Sequence, residues 1–246
     1  MSTPPDPFFT HGSNADAFFG GRILSYKSRS MTAAIERDKA DAGTFKKKYK
    51  RYTMGPADNS ITLEGWVDYD EGEEAADKLF SEYVASATDE AFSVFASGAE
   101  VGKPGLSMHS LVTKHEITSE IGATVGFSVE ASPGPNGSVD RVISLAYDQT
   151  VSSSANGATF DFGAASTKTG KFTVHGFTTG GTLTVKLQDS ADGSTWADVA
   201  TLTFTGGSSG SPNYRGQRVE TPSNLRRYAR ATWSGAGTIN LAGVGR

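Results

Sequence analysis

A chain of 246 residues with a formal net charge of −4 at pH 7 and no cysteine has room for one or two domains, each with its own core. The missing thiols exclude disulfide staples and thiolate chemistry, and the acidic balance excludes a basic nucleic-acid coat. The 29 glycines fit short strands and turns better than helical bundles, so a mainly β chain is expected.

Residues 1–20 combine Pro4, Pro5 and Pro7 with Phe8, Phe9, Phe18 and Phe19. Proline restricts its predecessor as well as itself, so this stretch reads as an N-terminal arm that orders by docking its aromatic anchors. The first residues lack a basic and apolar leader, and no apolar run is long enough to cross a bilayer, so assembly in a reducing cytoplasm is expected. A short strand is expected at 21–27, with β-compatible sequence at 30–35. Residues 36–50 are charge-rich, with fair helical propensity but poor periodicity. Asp58-Asn59-Ser60 supplies a turn; Ile61, Leu63 and Val67 then alternate with Thr62, Glu64 and Asp68, giving a strand with one buried and one polar face.

The acids Asp70, Glu71, Glu73 and Glu74 open the one convincing helix, because Ala76, Leu79, Phe80, Tyr83 and Val84 recur at helical spacing and carboxylates favour a helix N-terminus. It should end near Ser86. Strands are expected at 91–97, 111–119 and 123–131, with a Gly/Pro loop at 102–105. The run from Ser132 to Ser138 gathers turn formers without a large apolar anchor and is the best domain boundary. Beyond it, strand-like runs at 139–147, 158–162, 172–177, 183–188, 199–204, 227–233 and 238–244 are split by glycine-rich turns, which predicts an immunoglobulin-like or jelly-roll-like sandwich.

Several pieces taken in order resemble the major tail tube proteins of long-tailed bacteriophages: Gly20-Gly21-Arg22-Ile23-Leu24, the basic block from Gly43 running into Ser60-Ile61-Thr62-Leu63-Glu64-Gly65, the acidic turn and helix at 68–85, and Gly126-Phe127-Ser128-Val129-Glu130. The resemblance covers roughly residues 10–145. It implies a tail-tube β-sandwich or barrel domain with one flanking helix, hexameric rings whose sheets line a lumen, and stacking of rings through a loop between early strands. The run Leu183 to Trp196 and Arg226-Arg227-Tyr228-Ala229-Arg230 resemble accessory sandwiches of phage tail proteins.

No enzyme is expected. His11, His109, His115 and His175 are scattered, with no nucleophile elbow or triad spacing. No metal or cofactor is expected either: zinc lacks thiolate ligands, and Asp189, Asp192 and Asp198 around Gly193 miss the alternating carboxylates of a calcium loop and read as a hairpin turn. The basic run Lys46, Lys47, Lys48, Lys50 and Arg51 suits a nucleic-acid patch, a solvated loop, or a contact with a neighbour's Asp70, Glu71, Glu73 and Glu74; complementary charge favours the last, as an inter-ring contact.

These readings combine into an assembly domain at 1–135, with its arm at 1–20 and its loop at 36–53, and an outward-facing sandwich at 138–246. The expected product is a virion tail tube that passes DNA without binding it. Its partners are copies of itself and other tail proteins, with no membrane. Thr62, Glu64, Thr124, Ser128 and Glu130 are lumen candidates, because small and acidic groups do not hold phosphate. The alternative function is a carbohydrate-binding adhesin or host-surface-binding tail protein, with Trp196, Tyr214, Tyr228 and Trp233 as an aromatic platform.

Overall fold

A computed structural model describes residues 15–25, 28–41, 52–67, 76–86, 88–121, 123–135, 137–206 and 212–246. In the first segment the elements are β1 (Asp16–Phe19), β2 (Arg22–Ile23), β3 (Ser28–Asp41), β4 (Tyr52–Trp66), helix α1 (Ala76–Ser86), β5 (Glu90–Phe95), β6 (Pro104–Thr118) and β7 (Gly126–Pro133). The second holds β8 (Asp140–Val151), β9 (Ala155–Asn156), β10 (Phe160–Asp161), β11 (Thr169–Thr178), β12 (Thr182–Ser190), β13 (Ala197–Thr205), β14 (Asn213–Asn224), β15 (Tyr228–Gly235) and β16 (Gly237–Gly245). The chain is mainly β with one helix among the described residues, as its glycine punctuation and alternating runs predict.

One sheet runs β14-β11-β16-β8-β6-β5-β1-β2, and the order β3-β4-β7 branches from β6. The branch exists because β6 is long enough for three partners. Pro104–Ser107 pair with β8, Leu106–Ser110 with β5, and Ser110–Thr118 with β7. The second sheet holds β13, β12 and β15, with the short β9 and β10 on the far side of β15.

Three cores follow from which face each strand buries. In the first, Ile61, Leu63, Phe127 and Val129 form the inner face of β4 and β7, and Leu79 and Phe80 of α1 cover them. Phe80 sits 5.1 Å from Phe19 and 6.2 Å from Phe127 between ring centroids. The second lies between the two sheets of the sandwich, where Phe172 and Val174 of β11 and Val244 of β16 meet Leu183, Val185 and Leu187 of β12. The third joins the segments: Phe18 and Phe95 from the first pack with Val142 and Leu241 from the second.

The expected boundary falls on a real turn, since Gly134 and Gly137 separate β7 from β8. The two segments nevertheless do not stand apart as an assembly domain and an appended module. β8 continues the sheet of β6, and the third core fills the contact. Gly21 shows how tight this junction is: its φ is +85°, and a Cβ there would lie 2.3 Å from the Arg215 nitrogen and 2.6 Å from the Gly176 oxygen. Only glycine fits such a backbone approach in that conformation.

Of the loop expected at 36–53, residues 36–41 and 52–53 are strand, and 42–51 lie outside the described residues. β3 runs to Asp41 and β4 starts at Tyr52, in a register that includes Arg37↔Ala57 and Asp41↔Tyr52. Where the pair leaves the core, both of its faces meet water at Ile35, Glu36, Arg37, Ala57 and Asp58. The cross-strand hydrogen bonds therefore form without the apolar alternation that marks a half-buried strand. Asp58-Asn59-Ser60, expected as a turn, continues β4. A whole strand, β14, stands where no strand-like run is seen in the sequence, because its residues are mostly polar and half-buried along the sheet edge next to β11.

Candidate assembly interface

The sheet β3-β4-β7-β6 has one apolar and one polar face, and cross-strand registers assign residues to each. Thr32 pairs with Thr62, Thr62 with Glu130, and Glu130 with Lys114. The next row is Ser30, Glu64, Ser128 and Glu116. Directly opposed residues share a face, so these eight side chains form one polar surface turned away from α1. Four of the lumen candidates, Thr62, Glu64, Ser128 and Glu130, come together there on two adjacent strands. Thr124 is exposed but precedes β7, outside the strand pairing.

The charges on this face are tied to one another. Arg29 reaches Glu64 at 3.4 Å and lies 4.9 Å above the Trp66 ring, while Lys114 meets Glu116 at 2.7 Å. The hydrogen bond between them raises the Lys114 pKa and lowers that of Glu116. With its cations paired internally, the surface offers phosphate little net attraction.

Both margins of this sheet are open among the described residues. β3 pairs only with β4, and beyond Ser110 β6 pairs only with β7. Ile35 on β3 and Ile117 on β6 are large apolar side chains, 59% and 53% exposed, standing near those margins. Strand edges with free amides and carbonyls accept further strands unless they are blunted.

The proposed inter-ring residues Lys46, Lys47, Lys48, Lys50, Arg51, Asp70, Glu71, Glu73 and Glu74 lie outside the described residues. The helix that should follow the acidic run is α1, and it ends at Ser86 as expected.

Behind the interface, a buried polar seam locks the first segment to the second. His175 on β11 places Nε2 2.9 Å from Ser93 Oγ on β5; Ser93 also contacts Ser107 Oγ at 2.9 Å, and Ser107 lies 3.1 Å from Thr173 Oγ1. Burial pushes the His175 pKa down to about 3, so the ring is neutral. Nearby, the Glu90 carboxylate accepts hydrogen bonds from Gly216 N at 2.8 Å, and from Arg215 and the Tyr83 hydroxyl at 3.3 Å each. Burial raises the Glu90 pKa in spite of these donors, and burial, aided by Glu90, pushes Tyr83 up to about 12. The sequence alone carries no signal for this seam, because its members come from α1, β5 and β6 on one side and β11 and β14 on the other.

The other candidates separate. His109 pairs with Asp89 at 3.0 Å, and His115 sits on the apolar face beside Phe127. Among the described residues no three His, Asp or Glu side chains gather as a metal site. Asp189 is buried and held by Arg226, Asp192 accepts the amides of Ser194 and Thr195 in its own turn, and Asp198 binds Lys186 and Gln188. The four aromatics of the expected platform also disperse. Tyr214 lies under Arg22 beside Phe177, Trp196 under Arg230, Tyr228 under Arg227, and Trp233 packs against the sandwich core.

No protein-family model and no curated protein matches this chain. Among solved structures it is similar to a chain in the virion of a native gene transfer agent particle, with 9% identity and a TM-score of 0.42 over 53% of this chain and 98% of that one. It is also similar to the SPP1 tail tube, with 10% identity and a TM-score of 0.41 over 50% of this chain and 75% of that one. The SPP1 Dit protein overlaps 94% of this chain and 98% of its own, at 10% identity and a TM-score of 0.32.

Proposed function

We propose that this chain is a structural subunit of a phage-type tail, assembling into rings that stack into a tube through which DNA passes. The observation that carries this reading is the four-stranded sheet with one polar face, one face sealed by α1, and two open margins. Its strands alternate in direction, so β3 and β6 run oppositely. A neighbour related by rotation therefore brings its β3 antiparallel to β6, and the pattern repeats around a closed ring without a change of pairing type. Closure removes both edges and turns Thr62, Glu64, Ser128 and Glu130 toward the centre, where small and acidic groups let a polyanion slide.

Hexameric symmetry, stacking through Lys46, Lys47, Lys48, Lys50 and Arg51 against the Asp70, Glu71, Glu73 and Glu74 of a neighbouring ring, and a location in the virion tail complete the proposal. Opposed charge patches repeated around a ring set register more strongly than any single exposed pair. Negative-stain microscopy of the purified chain is the test. Rings or tubes of uniform bore are expected; dispersed particles at every concentration up to the solubility limit would overturn the reading.

A further inference from the structure

In a closed ring, β3 of one subunit and β6 of the next pair in one definite register. The free edge of β6 starts after Ser110, which already has Glu90 on one side and Pro133 on the other, and runs to Thr118. Among the described residues β3 is free along its outer edge from Ser28 to Asp41. Straight across the subunit, Ser30 lines up with Glu64, Ser128 and Glu116, and this row is the origin from which a stagger between subunits is counted.

The first constraint is facial. Ile117 shares the α1 face with Phe127, while Met31, Ala33 and Ile35 share it with Leu63, Ile61 and Asn59. An odd stagger would set apolar side chains against polar ones, so the stagger is even. The second is tilt. Each subunit contributes four strand spacings of about 4.8 Å, so staggers of two, four and six residues of about 3.3 Å give tilts of about 19°, 35° and 46°, whatever the number of subunits. Closed barrels hold tilts of about 35–45°, which leaves four and six. Staggering in the opposite sense runs β6 off the start of β3 at Ser28. The third is charge. A stagger of six sets Glu36 directly opposite Glu116, and like charges there are destabilising; a stagger of four sets Glu36 opposite Lys114.

We infer that neighbouring subunits join with Thr32 opposite Thr118, Ala33 opposite Ile117 and Glu36 opposite Lys114, a register that rests on the ring reading and makes it specific. Ile117, 53% exposed in the single subunit, then sits over the small Ala33, with Met31 and Ile35 as its diagonal neighbours. Met31 and Ala33 already pack against the first core, so the neighbour's isoleucine extends that core across the seam. On the polar face Lys114, 2.7 Å from Glu116, gains a second carboxylate.

The chain has no cysteine, so a pair introduced at the seam reports on the seam alone. Within one subunit β3 and β6 stand three strand spacings apart, about 14 Å, which no disulfide spans. Thr32→Cys combined with Thr118→Cys, treated with oxidised glutathione, is expected to give a ladder of covalent multimers on non-reducing denaturing gels. Ser30→Cys and Ala34→Cys, each combined with Thr118→Cys, place the thiols diagonally, about 7–8 Å apart, and should give roughly tenfold less. Ser30, Thr32 and Thr118 are exposed and Ala34 is half-buried, so the variants keep the fold. A stronger ladder from either shifted pair, or none from any pair in preparations that microscopy shows as rings, overturns the register and leaves the ring reading standing. Dispersed particles from the parent chain overturn both.

Discussion

His175 Nε2 and Ser93 Oγ meet at 2.9 Å although 82 positions separate them in the chain, and the contact is fully buried. The other ring nitrogen, Nδ1, has no partner. A neutral imidazole is thus built into the seam between the two segments, and protonating it there carries no compensating contact.

The first prediction follows from that imidazole. Its folded pKa, about 3, lies below the ordinary 6.5. The stabilisation is therefore present above pH 6.5 and is lost as pH falls toward 3, at up to about 1.4 kcal/mol per pH unit. Glu90 acts in the opposite sense: its raised pKa costs stability as pH rises through it, and this cost is relieved in acid. Urea unfolding between pH 7 and 4 should show a falling midpoint in the parent chain, and a flatter profile in His175→Gln. Parallel profiles would remove His175 as the cause.

Deleting residues 138–246 should prevent the remainder from folding cooperatively. The cut bares Phe18 and Phe95 and strips Glu90 of its Gly216 and Arg215 donors. Each large apolar side chain returned to water costs about 1.5–3 kcal/mol, and an unpartnered buried carboxylate adds to that. Circular dichroism melting checks it; a sharp transition in the truncated chain would show that the first segment is self-sufficient.

Gly21→Ala should lower stability by more than about 2 kcal/mol, since the new methyl meets backbone of Arg215 and Gly176 that has nowhere to move. Gly163→Ala is the control: it shares a positive φ of +80° but has no atom within 4 Å of its Cβ position. A calorimetric comparison should rank Gly21→Ala well below Gly163→Ala.

Assembly should respond to edge charge without a change in the subunit. Ile35→Lys and Ile117→Lys replace exposed side chains, so each should shift the melting midpoint little, within about 0.5 kcal/mol. A lysine on a strand edge opposes pairing with a further strand. Microscopy of the double variant should show separate subunits where the parent forms rings. Intact rings would place the contact elsewhere.

Residue patterning made some of this legible and hid the rest for definite reasons. Ile61, Leu63, Phe127 and Val129 alternate with polar residues because one face of their strands is buried, and α1 shows its spacing because Leu79 and Phe80 share one side. That Thr62, Glu64, Ser128 and Glu130 share one polar face was legible through the same alternation. The pairing of β3 with β4 around Ile35–Arg37 and Ala57–Asp58 was not, since a strand pair with water on both faces carries no period. β14 was hidden by its polar edge. The junction of the segments was hidden because Gly21, Glu90, His175 and Arg215 meet only in space, and the dispersal of the four aromatics depends on which arginine Tyr214, Trp196 and Tyr228 stack with and on Trp233 turning to the core.

β16 lies between β8 and β11, yet it follows β11 by some sixty positions in the chain. Until residues 237–245 leave the ribosome, β8 and β11 each face a gap the width of one strand, and the second core cannot close. A nascent chain halted earlier exposes two long hydrogen-bonding edges beside the margins of β3 and β6. β16, synthesised after both strands it lies between, thus keeps their edges from competing with the margins of β3 and β6 only once it has been laid down. Slow translation of the stretch before residue 237 should therefore raise aggregation in a cell making this protein in quantity.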